Sequence, residues 1–77
     1  MWEVIGYEIQ KNVEGIATGI TLFATKPYRG DQGVGVKARR VWYRPNEIPY
    51  NPCLGDMVCI DTETRGKYEI VTDIYKV

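Results

Sequence analysis

No window of this chain carries its apolar residues at a helical period; where they are regular, they alternate with polar neighbours or form short β-branched runs. That restricts the chain to extended segments, and five can be marked. Trp2–Lys11 holds Val4, Ile5, Tyr7 and Ile9, the last three on one face of an extended strand. Residues 16–25 are rich in β-branched and aromatic side chains, and Gly19 inside them marks a bulge or a bend. Val36–Tyr43 reads as a third strand, ended by Arg44-Pro45. Residues 56–62 and 67–77 form a hairpin, with Gly66 at a tip where a positive φ carries no steric cost. The connections are a turn at 12–15, a three-glycine loop at 27–35, and a crossing segment at 45–55. Pro45, Pro49 and Pro52 lack the N–H that a central strand would need, so the crossing is not itself a strand.

Five strands with one long crossing before the last pair predict a single all-β domain over residues 1–77. A small five-stranded barrel of OB type fits best, with an SH3-like barrel as the alternative. A chain of 77 residues buries only about 60–65% of its unfolded surface, so self-association into a homodimer is expected to support it. The start, Met1-Trp2-Glu3-Val4, lacks the basic and apolar regions of a secretory signal. No run reaches the roughly 18 apolar residues of a membrane helix, so a soluble, cytoplasmic protein is expected.

The missing residue types limit the chemistry. With no histidine and no serine, neither a Ser-His nor a Cys-His pair can be assembled. Cys53 and Cys59 give zinc two soft ligands where a structural site needs four. They read as reduced thiols, Cys59 packing as a small hydrophobe. The ten carboxylates are scattered without a catalytic spacing. The expectation is a binding protein, not an enzyme, with no metal and no cofactor. The Gly30, Gly33, Gly35 spacing lacks the Lys-Ser/Thr ending of a phosphate-binding loop and does not open a helix.

The net charge of zero conceals a strong asymmetry. Residues 1–25 carry −2 and residues 45–77 carry −3. Residues 26–44 carry +5, with Lys26, Arg29, Lys37, Arg39, Arg40 and Arg44 against Asp31 alone. The same quarter holds Tyr28, Trp42 and Tyr43. Cations that track phosphates, interleaved with rings that stack on bases, are what a binder of single-stranded nucleic acid requires. In an extended strand, Lys37, Arg39 and Tyr43 share one face, and Arg40, Trp42 and Arg44 the other. Trp42 reads as a core residue, because large apolar groups are few. Tyr28 reads as the stacking ring, because its loop offers little to bury it. The competing reading is a solvated basic strand paired with acidic neighbours for solubility and register.

Residues 48–77 (IPYNPCLGDMVCIDTETRGKYEIVTDIYKV) resemble the end of the single-stranded-DNA-binding proteins of filamentous phages. The likeness lies in a Pro-Tyr-x-Pro-like segment, a short strand, a glycine-tipped hairpin and a terminal strand of alternating aliphatics. It covers 30 of the 77 residues. It implies an OB-type barrel that acts as a homodimer, coats single-stranded DNA and comes from a phage or other mobile element. It also implies contacts from the hairpin, here Arg65, Lys67 and Tyr68, and from the earlier loop, here Tyr28 and Arg29. The neutral charge of this chain departs from that family's basic character. The expected nucleic-acid-binding set is therefore Lys26, Tyr28, Arg29, Lys37, Arg39, Tyr43, Arg65, Lys67 and Tyr68. The alternative function is an SH3-like protein-interaction module or a small structural subunit of a phage or plasmid assembly, with residues 26–35 and 45–52 as its contacts.

Overall fold

The computed structural model describes every residue except Arg29 and Gln32, and it is built from five antiparallel strands in one sheet. They are β1 (Trp2–Lys11), β2 (Ala17–Pro27), β3 (Val36–Tyr43), β4 (Met57–Arg65) and β5 (Tyr68–Lys76). Their order across the sheet is β3-β2-β1-β4-β5. The first three strands form a meander, and the crossing at 44–56 returns the chain beside β1, which is the Greek-key arrangement. Among the described residues no helix is long and apolar enough to cross a membrane. β2 and β4 each run further than the alternation indicates. Pro27 still pairs with Val36, at the end of the ladder where its missing N–H matters least.

Local chemistry sets the turns. The Asn12 side chain accepts hydrogen bonds from the N–H groups of Glu14 (2.9 Å) and Ile16 (3.1 Å), closing the β1–β2 turn. Gly66 takes φ 61° in the two-residue β4–β5 loop, and Gly-first loops of that length match the twist of a hairpin. Thr18 is the extra residue where the β1–β2 register slips beside Gly19, so that glycine does sit next to a bulge.

A second bulge alters the expected faces of β1. The register passes from Val4↔Ala24 to Gly6↔Phe23, which leaves Ile5 outside the alternation. Val4, Tyr7 and Ile9 therefore oppose Ala24, Leu22 and Ile20, all buried, and Ile5 does not share their face. The core consists of Val4, Ile20, Leu22, Val41, Tyr43, Val58 and Ile74, capped by Ile48 and Tyr50 from the crossing segment. The crossing is tied down by polar contacts. The Tyr43 hydroxyl donates to the Tyr50 carbonyl (2.8 Å), and the Tyr50 hydroxyl donates to the Asp56 carboxylate (2.8 Å). Lys76 lies 3.3 Å from Asp56. Backbone bonds Val4 N–H to Asp56 O and Gly55 N–H to Val4 O, both 2.9 Å, lock it against β1.

The sheet curls until its outer strands approach one another. Arg39 of β3 forms a salt bridge with Glu69 of β5, with no backbone ladder between these strands among the described residues. The radius of gyration, 13.7 Å, exceeds the roughly 11–12 Å of a compact chain this long, because the hairpins project beyond the core.

Candidate nucleic-acid interface

β2 and β3 pair with Ile20, Leu22 and Ala24 turned inward against Val41 and Tyr43, so the intervening residues form an outer face. On it, Thr21 opposes Trp42 and Phe23 opposes Arg40. The Trp42 indole is 47% exposed and folds over Gly19; a methyl group built on Gly19 would stand 2.4 Å from the indole nitrogen. The missing side chain is what lets the ring lie against the strand backbone. The Arg44 guanidinium sits 5.3 Å from the centre of that ring, within cation–π range.

Trp42 stands between two depressions. One, of about 360 Å³, is lined by Glu8, Thr21, Phe23, Arg40 and Val41 together with the indole. The other, of about 530 Å³, follows β3 from Arg39 to Arg44 and is walled opposite by Thr62, Glu69, Ile70 and Val71. Arg40 is exposed and, among the described residues, pairs with no carboxylate. Arg44 has Glu47 at 3.5 Å, but both are more than half exposed, and such a pair holds its cation weakly. The cations on this face thus remain open to an anion.

The expected residues are distributed differently. Tyr43 is 2% exposed, its hydroxyl is spent on Tyr50, and burial pushes its pKa up to about 12; it is a core residue and presents nothing to a ligand. Trp42, expected in the core, lies outside instead, because the inner face of β3 is filled by Val41 and Tyr43. Arg39 and Lys26 turn inward and meet over Trp2, with the ring centre 5.7 Å from the Arg39 guanidinium and 4.5 Å from the Lys26 ammonium. Because Arg39 also binds Glu69, this cluster closes the seam and does not form an open cationic track.

Tyr28 is 38% exposed, but it is not the free ring the loop composition predicts. Gly30 and Gly33 close on it, and a methyl group on Gly33 would come within 2.5 Å. The Lys37 ammonium lies 5.2 Å from its ring centre. Arg29 falls outside the described residues. At the β4–β5 tip, Arg65 contacts Glu63 (3.4 Å), Lys67 is exposed, and Tyr68 is 75% exposed.

Arg40, Trp42 and Arg44 form an open basic and aromatic group on the outer face of β2 and β3, and none of them is in the expected set. The glycine two residues before Thr21, the residue opposite Trp42, is the local signal that could have exposed the ring. Among the described residues, no group of three or more Cys, Asp or Glu side chains could hold a metal. No family model, no curated protein and no solved structure matches this chain.

Proposed function

We propose that this protein binds single-stranded nucleic acid, single-stranded DNA above all, on the outer face of β2 and β3, and that it works by binding and not by catalysis. The observation that carries the reading is Trp42: half exposed, laid over Gly19, and flanked along its strand by Arg40 and Arg44. A ring held against a strand supplies a base with a stacking surface worth about 1–3 kcal/mol without reading its sequence. The flanking guanidinium groups supply phosphate contacts on either side. Lys67 and Tyr68, both exposed at the β4–β5 tip, are further contacts in this reading. The Greek-key order of five strands supports an OB-type architecture, in which the β2–β3 face and the β1–β2 and β4–β5 loops bind oligonucleotides.

The test is fluorescence polarisation with a labelled oligo-dT. Binding is expected at low salt, weakening linearly on a logarithmic scale by about 0.7 per phosphate neutralised. Absence of binding at low salt refutes the proposal.

One observation favours the second reading, an SH3-like protein-interaction module or assembly subunit. The Arg39–Glu69 bridge neutralises part of the basic strand from within the fold. A partner retained after nuclease treatment, with no affinity for oligo-dT, would decide for it.

A further inference from the structure

β1 pairs with β4 only at Trp2 and Glu3, and the crossing segment takes over at Val4. From Gly6 to Lys11, β2 covers one side of β1, and among the described residues nothing hydrogen-bonds to the backbone on the other. This open edge carries apolar side chains that a monomer leaves half in water: Tyr7 is 42% exposed and Ile9 45%. Both lie on the face that forms the core elsewhere in the sheet. The other edges are protected. β3 and β5 turn toward each other across Arg39 and Glu69, while the free stretch of β4 carries Asp61 and Glu63, two charges of one sign. Charges of one sign discourage edge pairing, whereas β1 between Gly6 and Lys11 carries Glu8 and Lys11, which are of opposite sign.

We infer that the free edge of β1 is the self-association surface of this protein: two copies pair β1 to β1 antiparallel about a two-fold axis through Ile9. The register follows from charge. Such an axis places residue 9 + n opposite residue 9 − n of the other copy, so the faces of the two sheets stay aligned. An axis at Glu8 would set two carboxylates directly opposite each other, which destabilises a pair. An axis at Tyr7 would direct Lys11 to Glu3, which β4 already occupies. The axis at Ile9 sets Ile9 against Ile9, Glu8 against the amide of Gln10, and the Tyr7 ring against Lys11. Every opposed pair is then apolar, hydrogen-bonding or cation–aromatic. Arg40, Trp42 and Arg44 take no part in this pairing, while Glu8 lies both in it and beside Trp42 on the outer face.

Sedimentation velocity over a micromolar range, with the full chain, reads the association directly, and a dimer is expected. Ile9→Lys should shift the protein to monomer with an unchanged circular dichroism spectrum, because the side chain is already half exposed. In a Cys53→Ala/Cys59→Val background, Ile9→Cys should form a disulfide-linked dimer under mild oxidation, since residues directly opposite bring their Cα atoms to about 4.5–5.5 Å, within the span a disulfide bridges. Gln10→Cys, offset from the axis, should remain reduced. A monomer at all concentrations overturns the inference. So does a dimer in which Ile9→Cys links no better than Gln10→Cys, because its interface then lies elsewhere. An Ile9→Lys monomer that still binds oligo-dT separates this interface from the ligand face.

Discussion

Replacing Gly19 with alanine separates binding from stability on the β2–β3 face. The added methyl would stand 2.4 Å from the Trp42 indole nitrogen and 2.7 Å from two ring carbons, so the indole has to leave its seat. The ring is half exposed and can swing into solvent, so the fold loses little packing. The backbone at Gly19 is not left-handed, and alanine at a compatible glycine position gains about 0.4–1 kcal/mol by restricting the unfolded chain. The two effects oppose each other, and the stability measured in urea should change by less than about 1 kcal/mol. Binding should suffer more. Loss of one stacking contact is worth about 1–3 kcal/mol, or about 5- to 150-fold in Kd for oligo-dT. Trp42→Ala should weaken binding to a similar degree, and the double variant should be no weaker than Trp42→Ala, because both changes remove one contact. Polarisation titrations of the three variants measure this cycle. Full affinity in Gly19→Ala, or additive losses in the double variant, would refute the seat-and-ring account.

Other perturbations follow from the polar contacts. Arg40→Gln should weaken oligo-dT binding and lower its salt slope without changing the urea midpoint. Arg39→Gln should instead cost up to about 1 kcal/mol of stability with a smaller effect on binding, since its pair with Glu69 is partly exposed. Tyr43→Phe removes the donor to the buried Tyr50 carbonyl and should cost about 1–3 kcal/mol, read as a lower thermal midpoint, with affinity unchanged. The same tyrosine predicts alkaline sensitivity. Its folded pKa of about 12 lies above the ordinary 10.0, so its contribution is whole below pH 10 and disappears as the pH rises toward 12. Asp56 acts at the other end of the scale. The Tyr50 hydroxyl chiefly, with Lys76, holds its carboxyl below the ordinary 3.8, so its contribution is present above that value and lost as the pH falls beneath it. Tyr50→Phe should flatten that acid limb of a stability-versus-pH curve.

The strands were legible because period-2 alternation and turn residues are local properties. The Gly66 tip, the proline-rich crossing and the start of β3 all follow from residues within a few positions of one another. What was not legible depends on partners distant in sequence. In Val36–Tyr43 both faces carry apolar residues, and only the register with β2 decides that Val41 and Tyr43 fill the core while Trp42 turns outward. The bulge at Ile5 changes the faces of β1, and Gly6 beside it is its one local sign. Arg39 reads as a free cation until Glu69, 30 residues away, arrives beside it. Tyr28 reads as free until Gly30 and Gly33 fold over its ring. Charge patterning thus singled out this strand, and long-range pairing selected which of its cations stay open.

The two tryptophans allow the central proposal to be tested in one titration. Trp2 lies inward beneath Lys26 and Arg39, while Trp42 lies on the outer face over Gly19. In a ¹H–¹⁵N NMR titration with oligo-dT, the Trp42 indole N–H should shift progressively together with the amides of residues 40–44, and the Trp2 indole should hold its position. A Trp42 signal that stays fixed at saturating oligonucleotide, or shifts confined to residues outside β2, β3 and the β4–β5 tip, would contradict the account.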